Sequence, residues 1–573
     1  MECPDVPGPS YLGGDQEIPY DVEGEFWGFT EPLDNYKPGG LHPIILGDRL
    51  GDNGRFRVVH KLGHGGYGTV WLCQDTLSPT TKWRAVKVMS AKSSNPDCPE
   101  LRAMEAFRGI NRQTVQNDFH VSAPLEHFWI DGPNGRHLAL VFVLGATTAQ
   151  YMSWSYAHNR SLIKDLCFQL AKSLEFIHSR GICHGDFRPS NILVRLCDGV
   201  DSLPEETLLK SIYNGPEPDT GRVISLEDEK PVTRASAPSV PEQLVGSVSI
   251  DYNSGLCAAS LAVTDFGVSY SVLDPPKDGC TGIPYEYASP EERFRLRDLL
   301  GPPSDIWSLG CCITSLAARL AAFADDQDDD GNSHASKLES LLGPMPDPFR
   351  AAYKEEHKKE PKFRFFNEEI AKADETNKGG DLKPITVPMP RDKLDEMLRK
   401  SAAELAEKQK DKRGKRIMSH GEIRLREKLQ TPVYLDQTPE EADLMIKQYE
   451  VWRSRQERNG NATRGMLQLP FNEAIRNGKD VDANEDEERL KLRLGDKEVD
   501  QLSDLLMSIF KWHPKDRATI QQILNHPWFE GRNQHAAKVP PPVTPGNKSA
   551  VSEKGWTSYL HVDLTNRLTQ GFP

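Results

Sequence analysis

The first clear pattern in the chain is a set of short apolar runs that begins at Phe56. The runs FRVVHKLG, TVWLCQD and WRAVKVMS are rich in β-branched and aromatic residues and are separated by turn residues. Such runs are typical of β-strands, so the pattern predicts three consecutive antiparallel strands. A helix is expected near PELRAMEAFRGI, where Pro99 suits the first turn, and a further strand at LALVFVLG, residues 138–145.

Helical spacing replaces this pattern in the second part of the chain. Leucine recurs at every fourth position from Leu162 to Leu174, which predicts a helix with one apolar face. Ser161 is expected as its N-cap and Gly181 as its end. A short strand is expected at ILVRL. The longest apolar stretch, 307–323, contains an arginine and predicts a buried helix rather than a membrane span.

These patterns divide the chain into four parts. We expect an N-terminal extension over 1–50, a small lobe over 51–144, a large lobe over 145–529 and a tail over 530–573. Insertions are expected at about 198–260, which is rich in Pro, Ser, Gly and acid, and at about 325–496, which is highly charged. Charge blocks of this kind are typical of solvated or disordered segments. The basic run near Lys408 fits either a nuclear-import signal or an exposed helix face.

Composition narrows the class of protein. The 573 residues carry a formal net charge of -14, from 70 basic and 84 acidic side chains, which argues against a general nucleic-acid binder. The 10 cysteines form no CxxC pair, which predicts free, mostly buried thiols in a reducing compartment. The acidic N-terminus lacks the features of a signal peptide. We therefore expect a cytoplasmic and/or nuclear protein without a direct nucleic-acid or membrane partner.

The glycine-rich run LGHGGYGTV is the first candidate for chemistry. A strand rather than a helix is predicted after it, which disfavours a dinucleotide-binding turn. A glycine-rich hairpin can instead fold over the phosphates of ATP, because a backbone without Cβ approaches closely; the alternative is an ordinary hairpin. The expected nucleotide-binding residues are Leu62, Gly63, His64, Gly65, Gly66, Tyr67, Gly68, Thr69 and Val70.

Lys87, in WRAVKV, is the second candidate. On a strand among apolar neighbours it can serve as a point charge for phosphates, whereas the alternative is a surface lysine on an edge strand. We expect Glu105 to pair with it, in preference to Glu100. Glu105 lies in the middle of the predicted helix, beside Met104 and Phe107, where a carboxylate needs a partner.

The stretch CHGDFRPSN supplies a possible catalytic loop. Asp186 and Asn191 match the pattern D-x-x-x-x-N, in which the carboxylate accepts a hydroxyl proton and the amide binds a metal. Arg188 adds a cation beside the transferring phosphoryl group. Asp265, in LAVTDFGVS, is expected to be the main Mg²⁺ ligand, since Mg²⁺ prefers hard oxygen donors. The predicted metal site is thus Asn191 and Asp265, and the predicted catalytic residues are Asp186 and Arg188.

The order of these motifs carries a resemblance to a known family. SPE (289–291), SDIWSLG (304–310) and WHPKDRATI follow them, as in the protein-kinase signature set. The chain resembles a eukaryotic serine/threonine protein kinase, and more narrowly the SR-protein kinase (SRPK) family of the CMGC group. The narrower likeness rests on YKPGGLHPIILGD (36–48), on KLGHGGYGTVWLCQD and on the long spacer between Asn191 and Asp265.

The resemblance implies an α+β, bilobal protein-kinase fold, with a small antiparallel sheet in the N-lobe and a mainly helical C-lobe. It implies ATP and Mg²⁺ as cofactors and a protein substrate, of the Arg/Ser-rich splicing type. It further implies that Asp305 braces the catalytic loop and that Glu291 and Arg517 form a buried pair. The segment DGCTGIPYEYASPE is closer to kinases in general than to SRPKs, so the pocket beyond the target serine stays open.

Gly185 distinguishes this catalytic loop from that of most kinases. The usual arginine pairs with a phosphate on the activation loop, and SR-protein kinases also lack it, which implies activity without loop phosphorylation. HGD is also frequent in aminoglycoside and choline phosphotransferases, so a small-molecule kinase is an alternative, against which WRAVK, SPE and DIWSLG speak. A pseudokinase scaffold is a further alternative, disfavoured because the lysine, the aspartates and the asparagine are all retained.

Overall fold

The structure is a computed structural model. It describes residues 19–23, 30–78, 83–150, 159–212, 218–227, 229–250, 254, 256–323, 332–356, 419–430, 433–434 and 491–530. The basic run near Lys408 and the expected tail over 530–573, apart from its first residue, lie outside these ranges, as does most of the second insertion.

Strands and helices are numbered here in chain order. The strands are β1 (Tyr20–Glu23), β2 (Arg49–Leu50), β3 (Phe56–Gly65), β4 (Gly68–Asp75), β5 (Trp83–Met89), β6 (Glu126–Gly132), β7 (Gly135–Val143), β8 (Gly145–Thr148), β9 (Ile182–Cys183), β10 (Ile192–Leu196), β11 (Thr220–Ser225), β12 (Gln243–Val245), β13 (Cys257–Val263), β14 (Tyr270–Ser271), β15 (Val433–Tyr434) and β16 (Lys491–Leu492). The helices are α1 (Pro99–Ala106), α2 (Arg112–Asn117), α3 (Arg160–Ser179), α4 (Glu205–Leu209), α5 (Pro290–Arg293), α6 (Pro302–Ala318), α7 (Asn332–Leu342), α8 (Asp347–Glu356), α9 (His420–Gln430), α10 (Asp496–Ile509) and α11 (Ile520–Leu524).

One antiparallel sheet of six strands forms the first lobe, in the order β2-β3-β4-β5-β7-β6. The three strands predicted from Phe56 onward are confirmed as β3, β4 and β5. Side chains alternate between the faces: Trp71 and Val86 pack on the outer face, and Leu72, Ala85 and Met89 on the inner face. Because both faces are covered, apolar residues occur on both sides of these strands.

Helix α1 packs against the inner face of this sheet. It begins at Pro99, as the sequence predicts, and ends at Ala106. Glu100, Ala103 and Phe107 are buried, a spacing that puts them on one face of the helix. The phase of this short helix decides which of its two acidic residues reaches the cleft.

The second lobe is built around α3 and α6. The four leucines of α3 from Leu162 to Leu174 are at most 1% exposed, which confirms the predicted apolar face. The N-cap is Asn159 rather than Ser161: its side chain accepts a hydrogen bond from the Leu162 N–H at 3.1 Å. Sequence reasoning placed the cap two residues late because either polar residue suits the position. Gly181 follows the helix with φ +76°, as a terminating glycine does.

Helix α6 is the apolar stretch near Trp307, and most of its side chains are buried. It packs against α3 and α10 in the main core. The prediction of a buried helix is confirmed. Among the residues that the structure describes, no helix is both long and apolar enough to cross a membrane.

The first insertion folds together with the N-terminal extension, which the sequence did not predict. Strand β11 pairs with both β1 and β12 in a small antiparallel sheet. Val223 and Leu244 pack there against Leu33, Tyr36 and Leu41. This part of the insertion is therefore folded rather than solvated, because its scattered apolar residues share one small core.

The same two segments contact the edge of the large sheet. The Val248 N–H donates to the Lys61 carbonyl of β3 at 3.0 Å. Glu31 pairs with the Lys61 ammonium, and both side chains are buried. A buried ammonium requires such a partner. The extension and the insertion thus flank the strand that leads into the glycine-rich turn.

The described cysteines agree with the expectation of free thiols. None of these nine cysteines forms a disulfide, and all are buried except Cys280, which is half-buried. The tenth, Cys3, lies outside the described residues. The predicted bounds of the extension, lobes and insertions stay predictions.

Candidate active site

The glycine-rich run is a hairpin formed by β3 and β4. Gly63 lies opposite Val70, and Gly65 opposite Gly68. A Cβ added at Gly63, Gly65 or Gly66 would meet nothing within 4 Å, so the turn borders open space. A Cβ at Gly68 would lie 2.3 Å from the Val88 carbonyl oxygen, so this glycine lets β4 approach β5.

The side chains of the hairpin are divided between the two faces. Leu62 and Val70 pack against the inner core that adjoins the cleft. Thr69 is buried on the outer face, where its hydroxyl accepts a hydrogen bond from Trp71 Nε1 at 2.9 Å. Of the predicted nucleotide-binding residues, Thr69 can therefore contribute its backbone alone, because successive residues of a strand point to opposite faces.

Tyr67 lies at the tip of the hairpin and is 46% exposed. Partial burial and the nearby carboxylates of Asp265 and Asp186 raise the pKa of its hydroxyl. The Tyr67 carbonyl accepts a hydrogen bond from the Ser90 N–H at 2.8 Å, which ties the tip to the end of β5. The turn therefore lies near Asp186, a predicted catalytic residue, and Asp265, a predicted metal ligand.

Lys87 occupies a central strand and points into the cleft. Its ammonium lies 2.8 Å from Asp265 Oδ1 and 3.2 Å from Glu100 Oε1. Burial alone would lower the pKa of Lys87, but the carboxylates of Asp265 and Glu100 raise it above its ordinary value. Lys87 is therefore a cation fixed by two carboxylates in the cleft, rather than a surface lysine on an edge strand.

The prediction that Glu105 pairs with Lys87 is wrong. The Glu105 side chain is 59% exposed and pairs with Arg108 at 3.0 Å, whereas the Glu100 side chain is 2% exposed and pairs with Lys87. Five residues correspond to about 140° around a helix of 3.6 residues per turn, so the two glutamates face different directions. The signal was present in the sequence: Glu100 shares the spacing of Ala103 and Phe107, and Glu105 does not.

Asp186, Arg188 and Asn191 contact one another in the loop between β9 and β10. Arg188 Nε donates to Asp186 Oδ1 at 2.9 Å, and Asn191 Nδ2 donates to Asp186 Oδ2 at 2.6 Å. Both carboxylate oxygens are thereby oriented by neighbours within the same loop. The structure thus brings the two predicted catalytic residues and one predicted metal ligand together.

Asp265 is brought to this loop by the pairing of β13 with β10. Ile192 lies opposite Val263, and the Thr264 N–H donates to the Asn191 carbonyl at 2.9 Å. Asp265 has φ +62°, an uncommon conformation for a residue with a Cβ, of the kind that clusters at functional sites. Burial would raise the pKa of Asp265, but the contact with Lys87 holds it below the ordinary value.

Asp305 braces the catalytic loop from the buried helix α6. Its carboxylate accepts hydrogen bonds from the N–H groups of His184 and Gly185 at 2.8 and 3.0 Å, and from His178 Nε2 at 2.9 Å. Burial would raise the pKa of Asp305, but His178 and these donors lower it below its ordinary value. The expected brace is present in the structure.

The ring of His184 fixes the same loop from the other side. The Asp186 N–H donates to Nδ1 at 3.2 Å, so Nε2 carries the proton and donates to the Thr264 carbonyl at 3.1 Å. Its ring also contacts that of Phe266. His184 therefore links the catalytic loop to the strand end that presents Asp265.

Gly185 is required by the backbone of this loop. Its φ is +78°, and a Cβ there would lie 2.8 Å from the Val268 carbonyl oxygen and 3.2 Å from Thr281 Cγ2. Any larger residue would be strained and would collide with the activation segment, residues 265–291. The φ angle and the close approach of Val268 thus account for the glycine at this position.

The donor set fits a magnesium-bound nucleotide. Hydrogen bonds among the described residues engage Oδ1 of Asp265 and Nδ2 of Asn191, which leaves Asp265 Oδ2 and Asn191 Oδ1 as hard oxygen donors. No cluster of three or more His, Cys, Asp or Glu that could hold a metal occurs in the described ranges. The two oxygen donors of Asp265 and Asn191 suit a metal ion whose remaining ligands are phosphate and water oxygens.

Comparison with known proteins identifies the domain. Residues 56–200 match the family model described as "Protein kinase domain". The chain is 31% identical over 172 residues to the Serine/threonine-protein kinase spk-1 of Caenorhabditis briggsae, 32% over 177 residues to the Serine/threonine-protein kinase SKY1 of Saccharomyces cerevisiae, and 32% over 178 residues to the SRSF protein kinase 3 of Homo sapiens. These matches cover 29%, 29% and 30% of this chain, and 15%, 23% and 30% of the respective relatives.

Residues 56–200 therefore match a protein kinase domain, and the relatives just named support the narrower resemblance to SR-protein kinases. The expected bilobal α+β fold is confirmed. Protein kinases in general use ATP and Mg²⁺. The matched segment spans less than a third of each relative just named, so the activity and substrates of the whole chain are proposals.

Proposed function

We propose that this chain is an ATP-dependent serine/threonine protein kinase that phosphorylates serines in Arg/Ser-rich proteins. The observation that carries the proposal is the convergence of Lys87, Asp186 and Asp265 beneath the glycine hairpin. These groups come from three separate stretches of the chain. A partly buried cation and two carboxylates that converge in one cleft are characteristic of a functional site.

The residues divide the work of phosphoryl transfer. When bound, Mg-ATP would supply the phosphoryl group, and the metal would neutralise negative charge on the phosphates. Lys87, held by Glu100, binds phosphate oxygens. Asp186 orients the substrate hydroxyl and accepts its proton, since Arg188 and Asn191 fix both oxygens of its carboxylate. Asn191 and Asp265 would hold the metal.

The same proposal includes activity without phosphorylation of the activation segment. Three contacts that need no phosphate support it. Strand β14 pairs with β9 beside the catalytic loop. The Arg297 guanidinium donates to the carbonyls of Pro275 and Pro276 at 3.1–3.3 Å. The Thr281 hydroxyl lies 2.5 Å from the Gly185 carbonyl oxygen.

The proposed substrate class rests on charge and on the relatives. A chain of net charge -14 attracts a cationic partner more than an anionic one. One relative is named as an SRSF protein kinase. Arginine-flanked serines combine the positive charge and the hydroxyl acceptor that these two observations favour.

A peptide assay tests the proposal. The full chain is incubated with Mg-ATP and an Arg/Ser-repeat peptide or a matched peptide with lysine in place of arginine. We expect phosphorylation of the Arg/Ser peptide, loss of the reaction in Asp186→Asn, and an unchanged rate after phosphatase treatment. The lysine peptide separates recognition of arginine from recognition of charge.

Three results would contradict it. Transfer to choline or an aminoglycoside instead of peptides would identify a small-molecule phosphotransferase. Thermal stabilisation by nucleotide without transfer to any protein would identify a scaffold. Collapse of the rate after phosphatase treatment would refute independence from loop phosphorylation.

A further inference from the structure

A chain of three groups joins the activation segment to the catalytic loop. The Thr281 hydroxyl lies 2.5 Å from the Gly185 carbonyl oxygen and is hydrogen-bonded to the Glu292 carboxyl. The Thr281 N–H donates to the same carboxyl oxygen at 2.9 Å. Glu292 belongs to α5, directly after Glu291, and Gly185 directly precedes Asp186. The contact therefore connects α5 to the backbone that carries the proposed base.

The number of hydrogens available to these three groups determines which protonation state of Glu292 satisfies all of their hydrogen bonds. A hydroxyl carries a single hydrogen, and both the Gly185 carbonyl and an ionised carboxylate can only accept. With Glu292 ionised, the Thr281 hydroxyl can therefore donate to only one of these two acceptors. The other acceptor still lies beside the hydroxyl oxygen but receives no hydrogen bond from it. With Glu292 protonated, the carboxyl donates to Thr281 Oγ1, and Thr281 donates to Gly185. The Thr281 N–H is accepted by the carboxyl in either state.

The surroundings of Glu292 favour the protonated state. The residue is 6% exposed, and no salt bridge within the described part of the chain involves it. Glu291 of its own helix and Asp305 of α6 are acids that face it, and Cys183 of β9 and Tyr270 of β14 face it from the strands. Burial raises the pKa of Glu292 to about 8, the Thr281 hydrogen bonds oppose this shift, and Glu291 and Asp305 add to it.

We propose that Glu292, as a neutral carboxylic acid, is a positioning residue that holds the activation segment against the catalytic loop through Thr281 and Gly185. It orders the loop without a phosphate and without the arginine that Gly185 replaces. The inference rests on the proposed kinase function, and it deepens that function by naming how the site is regulated. Ionisation of Glu292 breaks one of the two contacts, so phosphoryl transfer falls as the pH rises.

Kinetics of matched variants test this role. The purified full chain is assayed with Mg-ATP and the Arg/Ser-repeat peptide from about pH 6.5 to about pH 9.5, and kcat and KM are determined separately. We expect the wild-type kcat to fall as the pH rises through about 8, with little change in the KM for ATP. Glu292→Gln supplies the same neutral donor and acceptor at every pH, and should lack the alkaline fall.

The disruptive variants complete the series. Glu292→Ala and Thr281→Val each remove hydrogen bonds that link Glu292, Thr281 and Gly185. We expect each variant to lower kcat about 10- to 100-fold, as a misplacement of about 1 Å does. Thr281→Ser keeps the hydroxyl and should retain the wild-type profile. An alkaline fall that persists in Glu292→Gln, or a fully active Glu292→Ala, would overturn the proposal.

Thermal unfolding provides a second measurement that needs no substrate. The folded state raises the Glu292 pKa from 4.5 to about 8, so its contribution to stability is complete at low pH and is lost as the pH rises toward and through about 8. The Tm of wild type should therefore fall relative to that of Glu292→Gln between about pH 4.5 and about pH 8 and level off above that. Parallel Tm curves would refute a neutral Glu292. A diverging pair of curves without phosphorylation by any variant would refute the proposed kinase function and leave the neutral carboxyl in place.

Discussion

The Glu291 carboxylate and the Arg517 guanidinium are joined by two hydrogen bonds, of 2.6 and 2.7 Å, although 226 residues separate them in the chain. Both side chains are fully buried. Ser304 donates to the same carboxylate at 2.8 Å, and Arg517 also donates to the carbonyls of Pro303 and Lys511. The pair thus joins the end of the activation segment to α6 and to the loop after α10, and it is the buried pair that the family resemblance implies.

Removal of one partner of this buried pair should strongly destabilise the folded protein. We expect Arg517→Met to lower the free energy of unfolding by about 3–5 kcal/mol, because it leaves the Glu291 charge buried without its partner. Urea unfolding measures the loss. Arg108→Met, which breaks an exposed pair, is the control and should change stability by less than about 0.5 kcal/mol. Equal effects of the two changes would contradict the structural role of the buried pair.

The correct partner of Lys87 can be identified by a matched pair of variants. We expect Glu100→Gln to lower kcat/KM about 10- to 100-fold, since Lys87 loses the carboxylate that holds it in place. Glu105→Gln should have no effect, because that side chain is exposed and pairs with Arg108. Steady-state kinetics with varied ATP measures both. A larger effect of Glu105→Gln would restore the original prediction.

A comparison of alanine substitutions at Gly185 and Gly181 distinguishes the effect of backbone strain from that of a steric collision. Their φ angles, +78° and +76°, are almost equal, but only at Gly185 would a Cβ meet a backbone atom, at 2.8 Å. Gly181→Ala should cost about 1–2 kcal/mol of stability from strain alone. Gly185→Ala should cost about 1–3 kcal/mol more from the collision.

Activity supplies a second contrast between these glycines. Gly185→Ala should also lower kcat, because the collision with Val268 shifts the loop that carries Asp186. Gly181→Ala should leave kcat close to that of wild type. Urea unfolding and the peptide assay measure the two effects, and equal losses at the two positions would argue against the collision.

The Asp305 brace predicts a pH dependence of stability. Its pKa lies below the ordinary 3.8, so its contribution is present above that value and is lost as the pH falls through the folded pKa. Asp305→Asn presents an amide group to backbone N–H donors and should cost about 1.5–3 kcal/mol at neutral pH. The difference from wild type should shrink below about pH 3.8.

Unfolding of Asp305→Asn and wild type across acidic pH measures this change. Asp131→Asn serves as a control, since the Asp131 side chain is 87% exposed. It should stay within about 0.5 kcal/mol of wild type. A difference between Asp305→Asn and wild type that stays constant down to the lowest pH would show that the carboxylate charge does not contribute.

Local pattern was sufficient for much of the fold. The strands from Phe56 onward and the leucine face of α3 follow from periodicities that extend over one element. Element ends were less certain: Ser161 and Asn159 are both acceptable N-caps, and packing selects Asn159, which is 2% exposed. The small sheet of β1, β11 and β12 was missed, because β1 lies about 200 residues before the other two strands and each strand is too short to show a period.

By itself, the sequence determined which reactive groups the chain carries and in what order. Lys87, Asp186, Asn191 and Asp265 were recognised from their spacing and neighbours, because motifs record local chemistry. Tertiary structure decided the partners that the motifs do not specify. Helix phase turned Glu100 rather than Glu105 toward Lys87, and the path of the activation segment brought Thr281 between Glu292 and Gly185. Such contacts depend on where helices begin and how strands register, and those are set by packing across the whole core.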